Sequence, residues 1–206
     1  MRGCKTPYVQ FIMQSGAVEI RTFCTCRRGE VWQIPYDGVS ALSGRSDGPP
    51  TGFSNFGPLP RFAGGMTEAG NRILDHFEQA AADKKLAMWQ PLPDFLGRAD
   101  GGEPATLGQR PWHPRENFRR GDIAGTLHPE LTAILRGAIE ALVARHPDMF
   151  SPETICLFPA IEGVGCYPAT DLDLKVPGET IWCCGDVVGR FRGLVPALVS
   201  GEYSAR

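Results

Sequence analysis

The stretch Thr180-Ile-Trp-Cys-Cys-Gly-Asp-Val-Val-Gly-Arg-Phe-Arg-Gly-Leu-Val-Pro-Ala-Leu-Val-Ser-Gly201 constrains the chain more than any other. Its short apolar run, Ile181 to Cys184, suits a buried strand. Gly185 and Asp186 follow, then a loop carrying Gly189 and Gly193. Apolar residues from Leu194 to Val199 then allow a helix that starts near Arg192. Strand, Gly-Asp, glycine loop and helix N-terminus together make a corner that favours anions and dipoles. The exposed N–H groups at a helix start carry roughly half a positive charge. Gly189 and Gly193 leave the backbone bare, so a flat ring can approach it. The same residues also describe an ordinary strand-to-helix turn.

Toward the N-terminus, residues 8–13 and 17–23 read as strands separated by Gln14-Ser15-Gly16, with Val18, Ile20 and Thr22 on one face. A third strand is expected over Glu30 to Ile34, giving a small antiparallel meander. Thr22-Phe-Cys-Thr-Cys-Arg-Arg-Gly-Glu-Val31 lies within it. Two thiolates two residues apart can share a metal ion, but a tetrahedral zinc site needs two further ligands. No second C-x-C or C-x2-C occurs and the four histidines are scattered, so buried strand cysteines are the competing reading. Seven cysteines in a chain whose N-terminus lacks a signal-peptide layout suggest reduced, metal-free thiols in the cytoplasm.

A loop rich in glycine and serine follows: Gly38-Val-Ser40, Ser43-Gly-Arg45-Ser-Asp47-Gly48 and Gly52-Phe-Ser54-Asn55. Its Arg45 has a planar fork of donors suited to an acidic substrate group, or it is a surface arginine. The 25 glycines and 18 prolines gather between residues 35 and 65 and between 91 and 125, which predicts long ordered loops or a partner-covered surface. One such loop holds Trp112-His-Pro-Arg-Glu-Asn117, either a ligand loop or a polar segment pinned by prolines.

Two amphipathic helices are expected. The first covers 67–86, with Thr67 as N-cap and Ile73, Leu74, Phe77, Ala80 and Ala81 on one face; His76 lies off that face. The second covers 127–145, with Thr126 as cap, Pro129 in the first turn, and a stripe of Leu131, Ile134, Leu135, Ile139, Leu142 and Val143. His128, in its first turn, is expected neutral, and Arg145 and His146 complement the negative pole at its end. The net charge of −2, with no basic block, argues against nucleic acid, and no apolar run of about 18 residues predicts a membrane span.

These segments resemble a known family, the NAD(FAD)-utilising FAD-dependent dehydrogenases. In that family a strand ends in Gly-(Asp/Glu), the acid holds the ribityl chain of FAD, and the next helix points its N-terminus at the pyrimidine edge of the isoalloxazine. By position Gly185, Asp186, Gly189, Gly193 and Leu194 match, and with Arg192 they make up the implied cofactor-binding set. The family also carries Thr-Phe-Cys-x-Cys-x-x-Gly-x-Val in its substrate domain, a loop with an Arg-Asp-Gly core that Ser46 interrupts here, and an Asp-Phe-Leu turn like Leu92–Gly97. Its Glu-x-Arg-x-x-x-Pro segment matches at Glu162 and Pro168, but Val164 stands in the arginine position. Arg45 and Glu162 are the implied candidates for a catalytic role.

The resemblance covers residues 17–206 but only the C-terminal half of the family's length. It implies an α+β fold, an α/β remnant, with residues 1–160 resembling the substrate domain and 161–206 the C-terminal segment of the FAD domain. No G-x-G-x-x-G follows a strand, so the phosphate-cradling turn of a dinucleotide fold is missing. Three readings follow. The chain is a split half of an FAD-dependent oxidoreductase, with a Rossmann-type nucleotide-binding half supplied by a partner chain or by self-association. Alternatively it is a non-redox descendant using the pocket for small-molecule binding or acid/base chemistry, or a non-catalytic protein that docks on a complete flavoprotein.

Overall fold

Val18, Ile20 and Thr22 are buried while Glu19 and Arg21 between them are half-buried, and this period of two makes a strand with one covered face. The computed structural model describes residues 11–16, 18–36, 39–62, 68–82, 87–98, 102–160, 167–189, 191 and 193–205. The chain divides into two compact units, Met1–Ala160 and Ile161–Arg206. In chain order the first contains β1 (Ile12–Ser15), β2 (Val18–Cys26), β3 (Glu30–Tyr36), β4 (Val39–Arg45), β5 (Asn55–Phe62), α1 (Glu68–Ala82), β6 (Ala87–Pro91), α2 (Leu92–Phe95), β7 (Trp112–His113), β8 (Phe118–Arg120), α3 (Ile123–Thr126), α4 (Pro129–Arg145) and β9 (Ile155–Phe158). The second contains α5 (Leu194–Ser204).

The fold is α+β, built among the described residues on three sheets of three strands, ordered β1-β2-β5, β4-β3-β7 and β8-β6-β9. The expected meander of the first three strands does not form, because β3 leaves the sheet of β1 and β2 and pairs with β4. The cause is local. Cys24 adopts a left-handed φ of 45°, the register against β5 shifts between Phe23 and Cys26, and Arg28 turns at φ 52°. The strand expected at 8–13 is seen as Ile12–Ser15, so Gln14 and Ser15 belong to it and Gly16 makes the turn; residues 8–10 lie outside the described residues.

β6 is the centre of the unit. All five of its residues are buried, and it is flanked by parallel β8 and antiparallel β9. Successive side chains leave opposite faces of a strand. Met88 accordingly joins a cluster with Ile73, Phe95, Ile123, Leu131 and Ile139, while Ala87 and Trp89 join Val31, Leu42, Trp112 and Phe118. The helix expected over 67–86 is Glu68–Ala82, with Thr67 and residues 83–86 outside the described residues.

α4 buries Leu131, Ile139 and Leu142 of its expected stripe, together with Ala138, and half-buries Ile134, Leu135 and Val143. Its cap differs from the expectation. Thr126 ends α3, where its hydroxyl donates to the Asp122 carbonyl, and His128 caps α4 by accepting from Glu130 N–H through Nδ1 at 3.3 Å. Such an acceptor requires an imidazole unprotonated at Nδ1. Trp112 to Asn117 pin their loop to neighbouring elements. Trp112 stacks on Phe118, His113 stacks on Trp32 at 4.5 Å, and Asn117 Nδ2 donates to Gln33 Oε1 at 2.6 Å.

In the C-terminal unit the run Ile181–Cys184 is not a buried strand. It makes one antiparallel bridge, Trp182 to Lys175, and both Ile181 and Trp182 are exposed. Val176 N–H donates to the Ile181 carbonyl (2.8 Å) and Cys183 N–H to that of Leu174 (2.9 Å). A ladder needs neighbours on its edges, and among the described residues this segment has one, residues 171–176. Among the described residues no helix is long and apolar enough to cross a membrane.

Candidate functional site

The corner predicted after residue 184 is a chain of tight turns set by glycine. Gly185 (φ 78°) opens a 3-10 turn over Gly185–Val188, and Gly189 (φ 69°) closes it in the left-handed conformation with its N–H donating to the Asp186 carbonyl at 2.8 Å. Gly193, at φ 94° and ψ 161°, is the N-cap of α5. That last conformation is essentially restricted to glycine. A Cβ on Gly189 would press into the Tyr167 ring at 2.9–3.0 Å, so this glycine is needed for packing as well. One on Gly193 would meet nothing closer than Pro196 Cδ at 4.0 Å, so the backbone there faces open space.

The N-terminus of α5 has no side-chain cap, and its third residue, Pro196, has no N–H to present. The N–H groups of Leu194 and Val195 are therefore the donors of its first turn. Asp186 lies exposed in the 3-10 turn, beside exposed Val187. The corner thus combines bare glycine backbone, a helix N-terminus, a carboxylate and apolar side chains. Such a set suits a flat, partly polar ring with a hydroxylated tail: amide donors for ring oxygens, a carboxylate for hydroxyls, and apolar contact for the ring face.

Two residues that hold the corner together are not evident in the sequence. Ser200, 1% exposed, accepts from Gly185 N–H at 2.8 Å and donates to the Ala197 carbonyl at 2.8 Å. Tyr167 lies against Gly189. A lone serine inside the apolar run Leu194–Val199-Ser200 is the available signal for the first; nothing in the sequence marks the second.

The structure brings Gly185, Asp186, Gly189, Gly193 and Leu194 into one segment of the C-terminal unit. Arg192 and Glu162 lie outside the described residues. Arg45, in the N-terminal unit, is engaged. It holds Asp47 through two hydrogen bonds, Nε to Oδ1 at 3.1 Å and Nη2 to Oδ2 at 2.6 Å, and lies 5.3 Å over the Trp32 ring. Hydrogen bonding to Arg45 holds the Asp47 carboxyl below its usual range, and the same pairing raises the Arg45 guanidinium.

The C-x-C cysteines do not converge. The irregularity at Cys24 breaks the strand alternation, leaving Cys24 exposed and Cys26 buried. Burial pushes the Cys26 thiol up, against a hydrogen bond from Ser46 that lowers it. Among the described residues no group of three His, Cys, Asp or Glu side chains is placed to hold a metal ion. Comparison with protein-family models and with curated proteins gives no match.

Proposed function

We propose that this chain is one half of an FAD-dependent oxidoreductase, holding the isoalloxazine ring and ribityl chain while a partner chain carrying a Rossmann-type fold holds the rest of the nucleotide. The observation that carries the reading is the glycine corner: three glycines at positive φ frame Asp186 and the uncapped start of α5. FAD, when bound, supplies two-electron redox chemistry. The chain's own residues bind and orient it. The Asp186 carboxylate takes a ribityl hydroxyl in a charge-assisted hydrogen bond. Leu194 and Val195 N–H, at the positive pole of α5, stabilise negative charge at the pyrimidine edge of the ring. Bare backbone at Gly193 admits the ring itself.

The partner belongs to the same reading. Among the described residues, ten of the twelve large apolar side chains that are exposed lie in the C-terminal unit. Five of them, Leu194, Val195, Leu198, Val199 and Tyr203, stand on α5 and give a partner an apolar surface to cover. Exposed thiols such as Cys24 and Cys184 fit a reducing cytoplasmic location.

Titration of the full-length chain with FAD, FMN and riboflavin, followed by quenching of flavin fluorescence, tests the proposal. All three should bind saturably and within about tenfold of each other, because no G-x-G-x-x-G turn is present to hold pyrophosphate and adenosine. Absence of saturable binding by any of the three would overturn it. Riboflavin binding that is orders of magnitude weaker than FAD binding would contradict the division of the cofactor between two chains.

A further inference from the structure

Two segments that are separate in sequence, Cys24–Val31 and Ser43–Asn55, meet at one corner of the N-terminal unit. Thr51 N–H donates to the Arg28 carbonyl (2.8 Å) and its hydroxyl to that of Gly29 (2.8 Å). Arg28 N–H donates to Ser54 Oγ (3.0 Å), and Asn55 Nδ2 to the Glu30 carbonyl (3.2 Å). A Cβ on Gly29 would overlap the Arg45 carbonyl, so the two segments are in direct backbone contact there. Beside this joint lies a groove of about 380 Å³ lined by Arg27, Arg28, Ser46, Gly48 and Pro50.

Arg28 is the informative residue. Its backbone is left-handed at φ 52°, which an L-residue with a long side chain seldom adopts. Its Nε donates to the Thr51 carbonyl at 3.2 Å, which anchors the guanidinium. No carboxylate pairs with it among the described residues. The two acids nearby are already engaged. Asp47 is held by Arg45, and Glu30 accepts from Trp32 Nε1 at 2.8 Å with His113 Nε2 at 3.8 Å. A guanidinium that is anchored by a carbonyl and lacks an acid partner is preorganised to bind an anion.

We infer that this groove binds an oxyanion, the phosphate or carboxylate group of a small ligand, held by the Arg28 fork and the charge of Arg27. The Ser46 hydroxyl, which reaches the Cys26 thiol, offers a further polar contact on the lining. The inference is independent of flavin binding, which concerns the other unit.

Isothermal titration of the full-length chain with sodium phosphate and, separately, with citrate, at constant ionic strength set by chloride, tests this. Saturable binding of at least one anion is expected, and the preferred anion identifies the group recognised. Arg28→Gln should weaken it about tenfold, the loss of one charge-assisted contact, and Arg28→Lys by less, since charge survives without the fork. Because Arg28 also ties down Thr51, Gly48→Leu serves as a second variant. Gly48 lines the groove and a Cβ there meets only ordinary contacts, at 3.5 Å from the Glu30 carboxylate, so leucine adds bulk to the lining without changing charge. It should abolish binding while the melting temperature holds. No saturable binding of either anion, or binding by Arg28→Gln and Gly48→Leu equal to that of the unaltered chain, would overturn the inference.

Discussion

α4 and α5 are both apolar helices, and they dispose of their side chains in opposite ways. α4 turns Leu131, Ile139 and Leu142 inward, the last only 2% exposed. α5 buries Ser200 and leaves Leu194 (77%) and Leu198 (64%) in solvent. Burial of leucine-sized side chains stabilises α4 by about 1.5–3 kcal/mol each. α5 gains little in this way, and the side-chain hydrogen bond that ties it to the glycine corner is the one Ser200 Oγ accepts from Gly185 N–H. Apolar sequence therefore marks a helix in both units, as a periodic stripe in α4 and a continuous run in α5, but does not say what covers it. In α4 the covering is the unit's own core; in α5 the proposed function assigns it to a partner.

The sharpest contrast is chemical. Cys156 keeps a partial opening to solvent but lies deep enough against the core that burial pushes its thiol up to about 12. Cys184 is exposed. At pH 8 Cys156 should alkylate on the order of a thousandfold more slowly than a free cysteine, because the thiolate is the nucleophile. Mass spectrometry of a timed iodoacetamide reaction reads this, with Cys184 labelled first; equal rates would mean that the β9 edge opens readily.

Leu142→Ala should cost about 2–5 kcal/mol in denaturant unfolding, a transfer loss plus a cavity. Ser200→Ala should cost less, about 1–3 kcal/mol, by leaving the Gly185 N–H unsatisfied. Faster hydrogen exchange at the Gly185 amide would localise that effect to the corner. Leu198→Ala should change stability by no more than about 0.5 kcal/mol, as exposed substitutions do. A loss as large as that of Leu142→Ala would show that the α5 face is already covered in the free chain, and the contrast between the helices would fail.

The sequence announces some of this architecture and conceals the rest for identifiable reasons. α1 and α4 are legible because their apolar residues recur at helical spacing, and β2 because Val18, Ile20 and Thr22 alternate. The departure of β3 from the first sheet is hidden, since it depends on left-handed turns at Cys24 and Arg28, two residue types that give no warning of positive φ. The N-cap of α4 is misassigned because threonine is the stronger capping residue in isolation. In the chain, Thr126 is used to end α3 and His128 takes its place. Ile181–Cys184 has strand composition, but composition cannot supply the neighbouring strands that would make it one. At the candidate site the positive-φ glycines are readable from the glycine spacing. Ser200, whose hydrogen bonds help fix their positions, is signalled only as a lone serine at the end of an apolar run, and Tyr167, which packs on Gly189, is marked by no local pattern.

The most direct test of the central claim is the FAD affinity of three full-length proteins: the unaltered chain, Asp186→Ala and Gly193→Val. Loss of the carboxylate should weaken binding by about 1.5–3 kcal/mol, the range of a hydrogen bond to a charged group. Valine at Gly193 should abolish it, since its side chain occupies the approach to the α5 N-terminus and its backbone must leave φ 94°. Unchanged affinity in both variants would contradict flavin binding at the glycine corner.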